Sequence, residues 1–208
     1  MQDITSYFNL MNDEEKEFIE TTNLVYTELG KFNVDFEQTT HYFKSCVKSI
    51  LINNGLKDQI YADFFTEKLT AEPIKSIFQS TMNHSYNSEN DKQRIKKMIT
   101  LFSDLIEIRN VVTHCYWAIG TTVGEPVKPF IFGLKTRISG TGISQYNLSM
   151  ELNELKNINK KLDLFKTGMY ELSRHMRKKR EHLTKFKFDK LENLSFREEL
   201  IKMKTDRN

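Results

Sequence analysis

Apolar side chains along most of this chain recur at spacings of three and four, the period that gathers them on one face of a helix. Asn12 followed by Asp13, Glu14 and Glu15 reads as an N-cap with acids in the first turn; Phe18, Thr22, Val25, Tyr26 and Leu29 then share a face, and Gly30 is expected to end the helix. Phe36, Thr40, Phe43, Val47, Ile50 and Leu51 predict a second helix that stops at Asn53-Asn54-Gly55. A short helix is expected over 58–69, with Ile60, Tyr61, Phe64 and Phe65 apolar. Thr70 can cap another from about Glu72 to Met82, with Pro73 in the first turn, where its missing donor costs nothing. The polar stretch 83–91 reads as an exposed loop. Ile95, Met98, Ile99, Phe102, Leu105, Ile106, Val112 and Trp117 then form a broad apolar stripe, which predicts a centrally packed helix over about 91–118 that ends near Gly120.

The period changes after Gly124, Pro126 and Pro129. Phe130-Ile131-Phe132 and Lys135-Thr136-Arg137-Ile138 read as extended, 139–142 as a turn and 143–148 as a returning strand. Two isolated strands are marginal in water, so this hairpin must pack on the helices or on a partner. Ser149 can cap a last long helix, where Leu152, Leu155, Ile158, Leu162, Phe165, Met169, Leu172 and Met176 approach a heptad. That seam suits either a subunit contact or packing on its own bundle, and the second is favoured. Ser195 with Glu198 resembles a capping box for a short terminal helix. The expected fold is mainly α: one helical bundle over residues 1–208, with a hairpin insertion at 124–148 and a C-terminal extension at 184–208.

Composition narrows the function classes. At 208 residues the chain is long enough to bury a real core, and plentiful periodic Phe and Tyr exclude disorder throughout. The two cysteines, Cys46 and Cys115, fall inside expected helices, and no secretory signal opens the chain, so a reduced cytoplasm is expected. No apolar run approaches the ~20 residues of a membrane helix, and the scattered Cys and His have no zinc-ligand spacing; neither a membrane nor a metal or other cofactor is expected. The net charge of +3 is unevenly placed, because Arg174, Arg177, Lys178, Lys179 and Arg180 form a basic run with few acids. Such a run can attract a polyanion by counterion release, or simply be a solvated helix face.

The most specific chemistry lies in Arg109-Asn110-Val111-Val112-Thr113-His114. An arginine grips phosphate through its fixed fork of donors, a histidine moves protons near neutral pH, and an asparagine can fix the tautomer of that histidine. On a helix Asn110 and His114 share a face, with Arg109 beside them. The competing reading is an arginine snorkelling beside a core histidine. Arg177-Lys178-Lys179-Arg180-Glu181-His182 repeats the Arg-x-x-x-x-His spacing, but in a run of charges that would neither bury nor orient the pair.

The segment LIEIRNVVTHCYW resembles the R-N-x-x-x-H signature of the HEPN superfamily, helical-bundle proteins many of which are metal-independent ribonucleases. YTELGKFNVDFEQTTHYF, LTAEPIKSIF and, after the hairpin, LSMELNELKNI are similar to the helices around that motif, so the resemblance covers about residues 15 to 180. It implies a homodimer packed through the motif helices, with Arg109, Asn110 and His114 of both protomers in one cleft. It also implies attack of an RNA 2′-hydroxyl on the adjacent phosphodiester, leaving a 2′,3′-cyclic phosphate. His114 would be the general acid or base, Arg109 would stabilise phosphate charge and Asn110 would position His114. The sequence departs from the common pattern at Cys115, where a small residue is frequent.

Tyr116 and Trp117 could stack on bases at the rim, and Arg174, Arg177, Lys178, Lys179 and Arg180 could guide RNA or dock an acidic inhibitor. For Trp117 a packing role is favoured. Three functions compete: a toxin or phage-defence endoribonuclease with an antitoxin or regulatory partner, a HEPN-fold binding module that does not cut, and an adaptor using the Leu152–Met176 seam.

Overall fold

The structure, a computed structural model, describes residues 12–120, 130–139, 142–178 and 189–205 together with Leu183 and Phe186. It is a mainly α-helical bundle, as the periodicity predicts. In chain order the elements are α1 (Asp13–Asn53), α2 (Gln59–Glu67), α3 (Ala71–Ser85), α4 (Glu89–His114), β1 (Tyr116–Gly120), β2 (Phe130–Ser139), β3 (Gly142–Glu151), α5 (Leu152–Arg177), α6 (Asp189–Glu192) and α7 (Arg197–Thr205).

The first two expected helices are a single helix. Asn12 caps it as anticipated, accepting from the Glu15 backbone while Glu15 accepts from Asn12. Gly30 does not end it, because the buried stripe of Val25, Phe32 and Phe36 runs through that point and the local ties of Asn33 to the Leu29 carbonyl and Lys31 to Asp35 bridge it. Burial of the stripe outweighs the ~1 kcal/mol a helical glycine costs against alanine. The true stop is Gly55, at a φ of 102° that favours glycine.

The expected loop at 83–91 contracts to 86–88, since α3 runs to Ser85 and Ser88 caps α4 by accepting from Asp91 N–H. Tyr86 is buried and anchors that short turn. Helix α4 ends at His114 instead of near Gly120, and the chain turns directly into β1. The Trp117 indole explains the stop: its Nε1 donates to the Val112 carbonyl at 2.6 Å, satisfying one of the acceptors that a helix end orphans.

β1 therefore adds a third strand to the expected hairpin. The antiparallel order is β1-β2-β3, with Tyr116 opposite Leu134, Phe130 opposite Glu151 and Ser139 opposite Gly142. The turn residues Gly140 and Thr141 and the Gly124–Pro129 break lie outside the described residues. β3 continues past Ser149 to Glu151, so Glu151, whose N–H donates to Glu154, stands where Ser149 was expected to cap α5.

The core is organised around Phe43 of α1. Its ring stacks on Phe102 of α4 at 4.0 Å and meets Phe78 of α3 edge-on at 4.6 Å and Phe165 of α5 at 6.2 Å. One residue thus joins four helices. α1 and α5 run parallel: Glu28 meets Asn159, Asp35 meets Lys166 and Asn53 meets the Met176 carbonyl. The α5 seam, including Leu155, Leu162, Phe165, Met169 and Met176, is buried in this bundle. The C-terminal extension is part of the same core, since Leu191, Leu194, Phe196, Leu200 and Met203 are buried and Phe196 meets Phe165 edge-on.

Asp35 is the main buried charge at the α1–α5 contact, with Lys31 at 2.6 Å and Lys166 at 2.7 Å. Burial pushes its carboxyl up, but the hydrogen bonds and charges of the two lysines outweigh that and hold it below the usual carboxylate range. Cys46 is enclosed, and burial pushes its thiol far up, which leaves it an inert packing residue.

Candidate functional site at the end of α4

The last two turns of α4 present the motif on two sides. Arg109 and Asn110, with Ile106, line a groove of about 390 Å³ whose other wall is Phe36, Glu37, Thr40 and Lys44 of α1 and whose end is the α2–α3 junction. The Arg109 guanidinium lies 5.9 Å above the Phe36 ring, and its Nη2 stands 4.0 Å from Glu37 Oε1. The ring supports the stem and charge from behind. Glu37 is two-thirds exposed, so that ion pair is weak and screened. A guanidinium fixed at its back, with a carboxylate 4.0 Å from its edge among the described residues, can still offer its fork to an anion in the groove.

Asn110 is half-buried on the same wall, and His114 lies one turn further on the same face as Asn110. His114 is the last residue of α4, is exposed, and does not line the Arg109 groove. At about 100° per residue it is roughly 140° round the helix from Arg109. One protomer therefore brings Arg109 and Asn110 together and leaves His114 outside their groove. The helix end itself is firmly closed: Thr113 Oγ1 donates to the Arg109 carbonyl at 2.7 Å, and Cys115 N–H to Val111 at 3.2 Å.

Residues that the motif string did not reveal complete the groove. Lys44 donates to the Glu67 carbonyl at 2.7 Å, and Lys68 lines the α2–α3 end. Of the acids at that end, Glu72 pairs with Lys75 at 2.7 Å, whereas the exposed Glu67 is only loosely paired with Lys48 at 4.0 Å. Lys44 had a signal in sequence, since Glu37, Thr40 and Lys44 fall at helical spacing on one face of α1. Lys68 had none, because its place follows from how α2 folds back on α1.

Trp117 is partly buried against the core and committed to the Val112 carbonyl, which is the packing role favoured from sequence. The Tyr116 side chain, Lys179, Arg180 and His182 lie outside what is described. In the basic run, Arg174, Arg177 and Lys178 are exposed; Arg174 sits 5.7 Å over the Tyr170 ring, and Arg177 lines a separate groove with His41, Lys48 and Asp63. That groove shares no lining residue with the Arg109 groove.

Among the described residues no group of three His, Cys, Asp or Glu side chains could hold a metal, and no helix is long and apolar enough to cross a membrane. Comparison of the chain with family models, with curated proteins and with solved structures returns no match.

Proposed function

We propose that this chain is a metal-independent RNA endonuclease of the HEPN kind, acting inside the cell in a toxin or anti-phage role under the control of an antitoxin or regulatory partner. The observation that carries the reading is the state of Arg109: a guanidinium braced on Phe36 at the mouth of an open groove, on the helix that ends in an exposed imidazole. Two copies would join through their motif helices, so that His114 of one protomer reaches the phosphate held by Arg109 and Asn110. The RNA 2′-hydroxyl attacks the adjacent phosphorus, its proton passing to a basic imidazole. The P–O5′ bond breaks as the 5′-oxygen takes a proton from the imidazolium so formed, giving a 2′,3′-cyclic phosphate and a 5′-hydroxyl end. Arg109 stabilises the charge gathering on the non-bridging oxygens. Arg174, Arg177 and Lys178 steer the RNA strand toward the dimer.

One observation favours a second reading, a HEPN-fold binding module that does not cut: His114 stands outside the Arg109 groove within a protomer. End-group analysis separates the two. Total RNA treated with the protein in EDTA should yield fragments ending in 2′,3′-cyclic phosphate. Fragments ending in 3′-hydroxyl, or cutting that appears only with a divalent ion, would sink the mechanism. Binding of RNA without fragments supports the second reading.

A further inference from the structure

A second groove lies where α1, α2 and the end of α5 meet. It measures about 380 Å³, and its walls carry His41, Ser45 and Lys48 of α1, Gln59 and Asp63 of α2 and Arg177 of α5. Lys48 takes Asp63 at 2.6 Å, which leaves the Arg177 charge uncompensated: it makes no ion pair among the described residues. Ser45 is 5% exposed, yet its hydroxyl borders the groove with no hydrogen-bond partner among the described residues. A hydroxyl withdrawn from water and left unpaired costs free energy, and an anion seated between Arg177 and Lys48 would accept its hydrogen bond.

The rim of this groove is aromatic as well as basic. His41 meets Tyr42 at 6.1 Å, Tyr42 meets Tyr170 of α5 at 5.4 Å, and the Arg174 guanidinium lies 5.7 Å over the Tyr170 ring. A run of rings thus leads from the groove across the α1–α5 seam to Tyr170, which is 43% exposed. Arg174 stands one turn before Arg177 on α5, and Lys178 follows it. Glu171 is the acid among them, exposed and in no ion pair among the described residues. Cations interleaved with rings suit an unpaired nucleic-acid strand, because the cations track its phosphates and the rings stack its bases. An acidic peptide would use the cations and leave the rings idle.

We propose that this surface binds single-stranded RNA, with one phosphate held in the groove by Arg177, Lys48 and the Ser45 hydroxyl and bases stacked on His41 and Tyr170. The proposal rests on RNA as the ligand of the proposed function and gives the strand a foothold apart from Arg109; it does not require cleavage. One strand can touch both sites. Thr40 and Lys44 line the Arg109 groove, while His41, Ser45 and Lys48 line this one, about 100° round the same turns of α1.

The test is fluorescence anisotropy of the full chain with a labelled strand of about 12 nucleotides, long enough for a stacking platform, made of 2′-O-methyl RNA so that no attacking hydroxyl is present. In about 0.1 M salt, Arg177→Gln should weaken binding about 5-fold and lower the slope of log K against log salt by about 0.7, the share of one phosphate contact on a single strand. Tyr170→Ala should weaken it about 5-fold or more, and Tyr170→Phe should hold wild-type affinity, since a ring stacks without its hydroxyl. Ser45→Ala should cost about 3-fold. Circular dichroism checks that each variant is folded. A wild type that leaves the strand free at about 0.1 mM, the weak end of non-specific binding, overturns the proposal, and so does binding unchanged in both Arg177→Gln and Tyr170→Ala. A loss in Arg177→Gln alone, with polyglutamate competing as well as RNA, also overturns it in favour of an acidic peptide. RNA cleavage with unchanged kinetics in both variants removes this site and keeps the enzyme. A protein that never cuts, yet loses the 2′-O-methyl strand in both variants, keeps this site and removes the enzyme.

Discussion

The interior around Phe43 and the end of α4 use neighbouring turns of the same helices, yet they are finished in opposite ways. Around Phe43 the contacts are internal: a ring stacked at 4.0 Å, another edge-on at 4.6 Å and a third at 6.2 Å, and about two turns back along α1 an aspartate is taken by two lysines within 2.7 Å. At the end of α4 the backbone is equally well closed, but the ion pair of Arg109 is a 4.0 Å contact with an exposed glutamate, and His114 is exposed. Phe36 belongs to both regions, stacked on Phe102 at 6.0 Å and lying under Arg109 at 5.9 Å. The frame spends its side chains on itself, while backbone and ring contacts hold the end of α4 with Arg109 at a groove and His114 in solvent.

The comparison breaks most sharply at Phe43. Phe43→Ala should cost about 3–5 kcal/mol in chemical denaturation, because it opens a cavity among four helices. A cost under about 1 kcal/mol would mean that the interior is not centred there. Next come Arg109→Ala and His114→Ala, each expected to lower RNA cleavage by about 10²-fold or more. Stability should fall by no more than about 1 kcal/mol for Arg109→Ala, which loses the Phe36 contact, and should hardly change for His114→Ala.

Asp35→Asn is the third. It should destabilise by about 2 kcal/mol, below the ~3–5 kcal/mol of a fully buried pair because Lys31 stays partly in water. Since the folded carboxyl lies below its ordinary value, the stability it supplies is complete above the unfolded carboxylate pKa of about 3.9 and is lost as pH falls through the folded value. Acid titration of unfolding should therefore show a flatter low-pH limb in Asp35→Asn than in wild type. The smallest effect carries the opposite sign: Gly30→Ala should stabilise α1 by about 0.5–1 kcal/mol, as nothing lies within 4 Å of an added methyl. The same change at Gly168 should gain less, because its methyl would meet Leu191 at 2.9 Å.

How far these regions could be read from sequence follows from their physics. The helices were legible because burial imposes a period, and the stripe from Val25 through Phe36 to Ile50 survives in the structure. Their ends were not, since Gly30 is a stop signal only where no tertiary stripe crosses it. β1 was hidden because Trp117 continues the α4 stripe in sequence while its indole terminates that helix in space. The pattern over α2 marked Ile60, Tyr61, Phe64 and Phe65 as one apolar group but not that they face outward, which depends on how α2 folds back on α1 through Ala62 and Thr66. Arg109, Asn110 and His114 stood out as a string; the groove, built with Phe36, Lys44 and Lys68 from distant turns, did not. The five-residue spacing already put His114 on a different side of the helix from Arg109, but not that the groove would form on the Arg109 side alone.

The most direct test pairs two readings on one sample. Thermal unfolding and RNA cleavage in EDTA would be measured for wild type and His114→Ala. The account predicts an unchanged Tm with cleavage reduced about 10²-fold or more. Cleavage that persists in His114→Ala, or a fall in Tm that accounts for the lost activity, would contradict it.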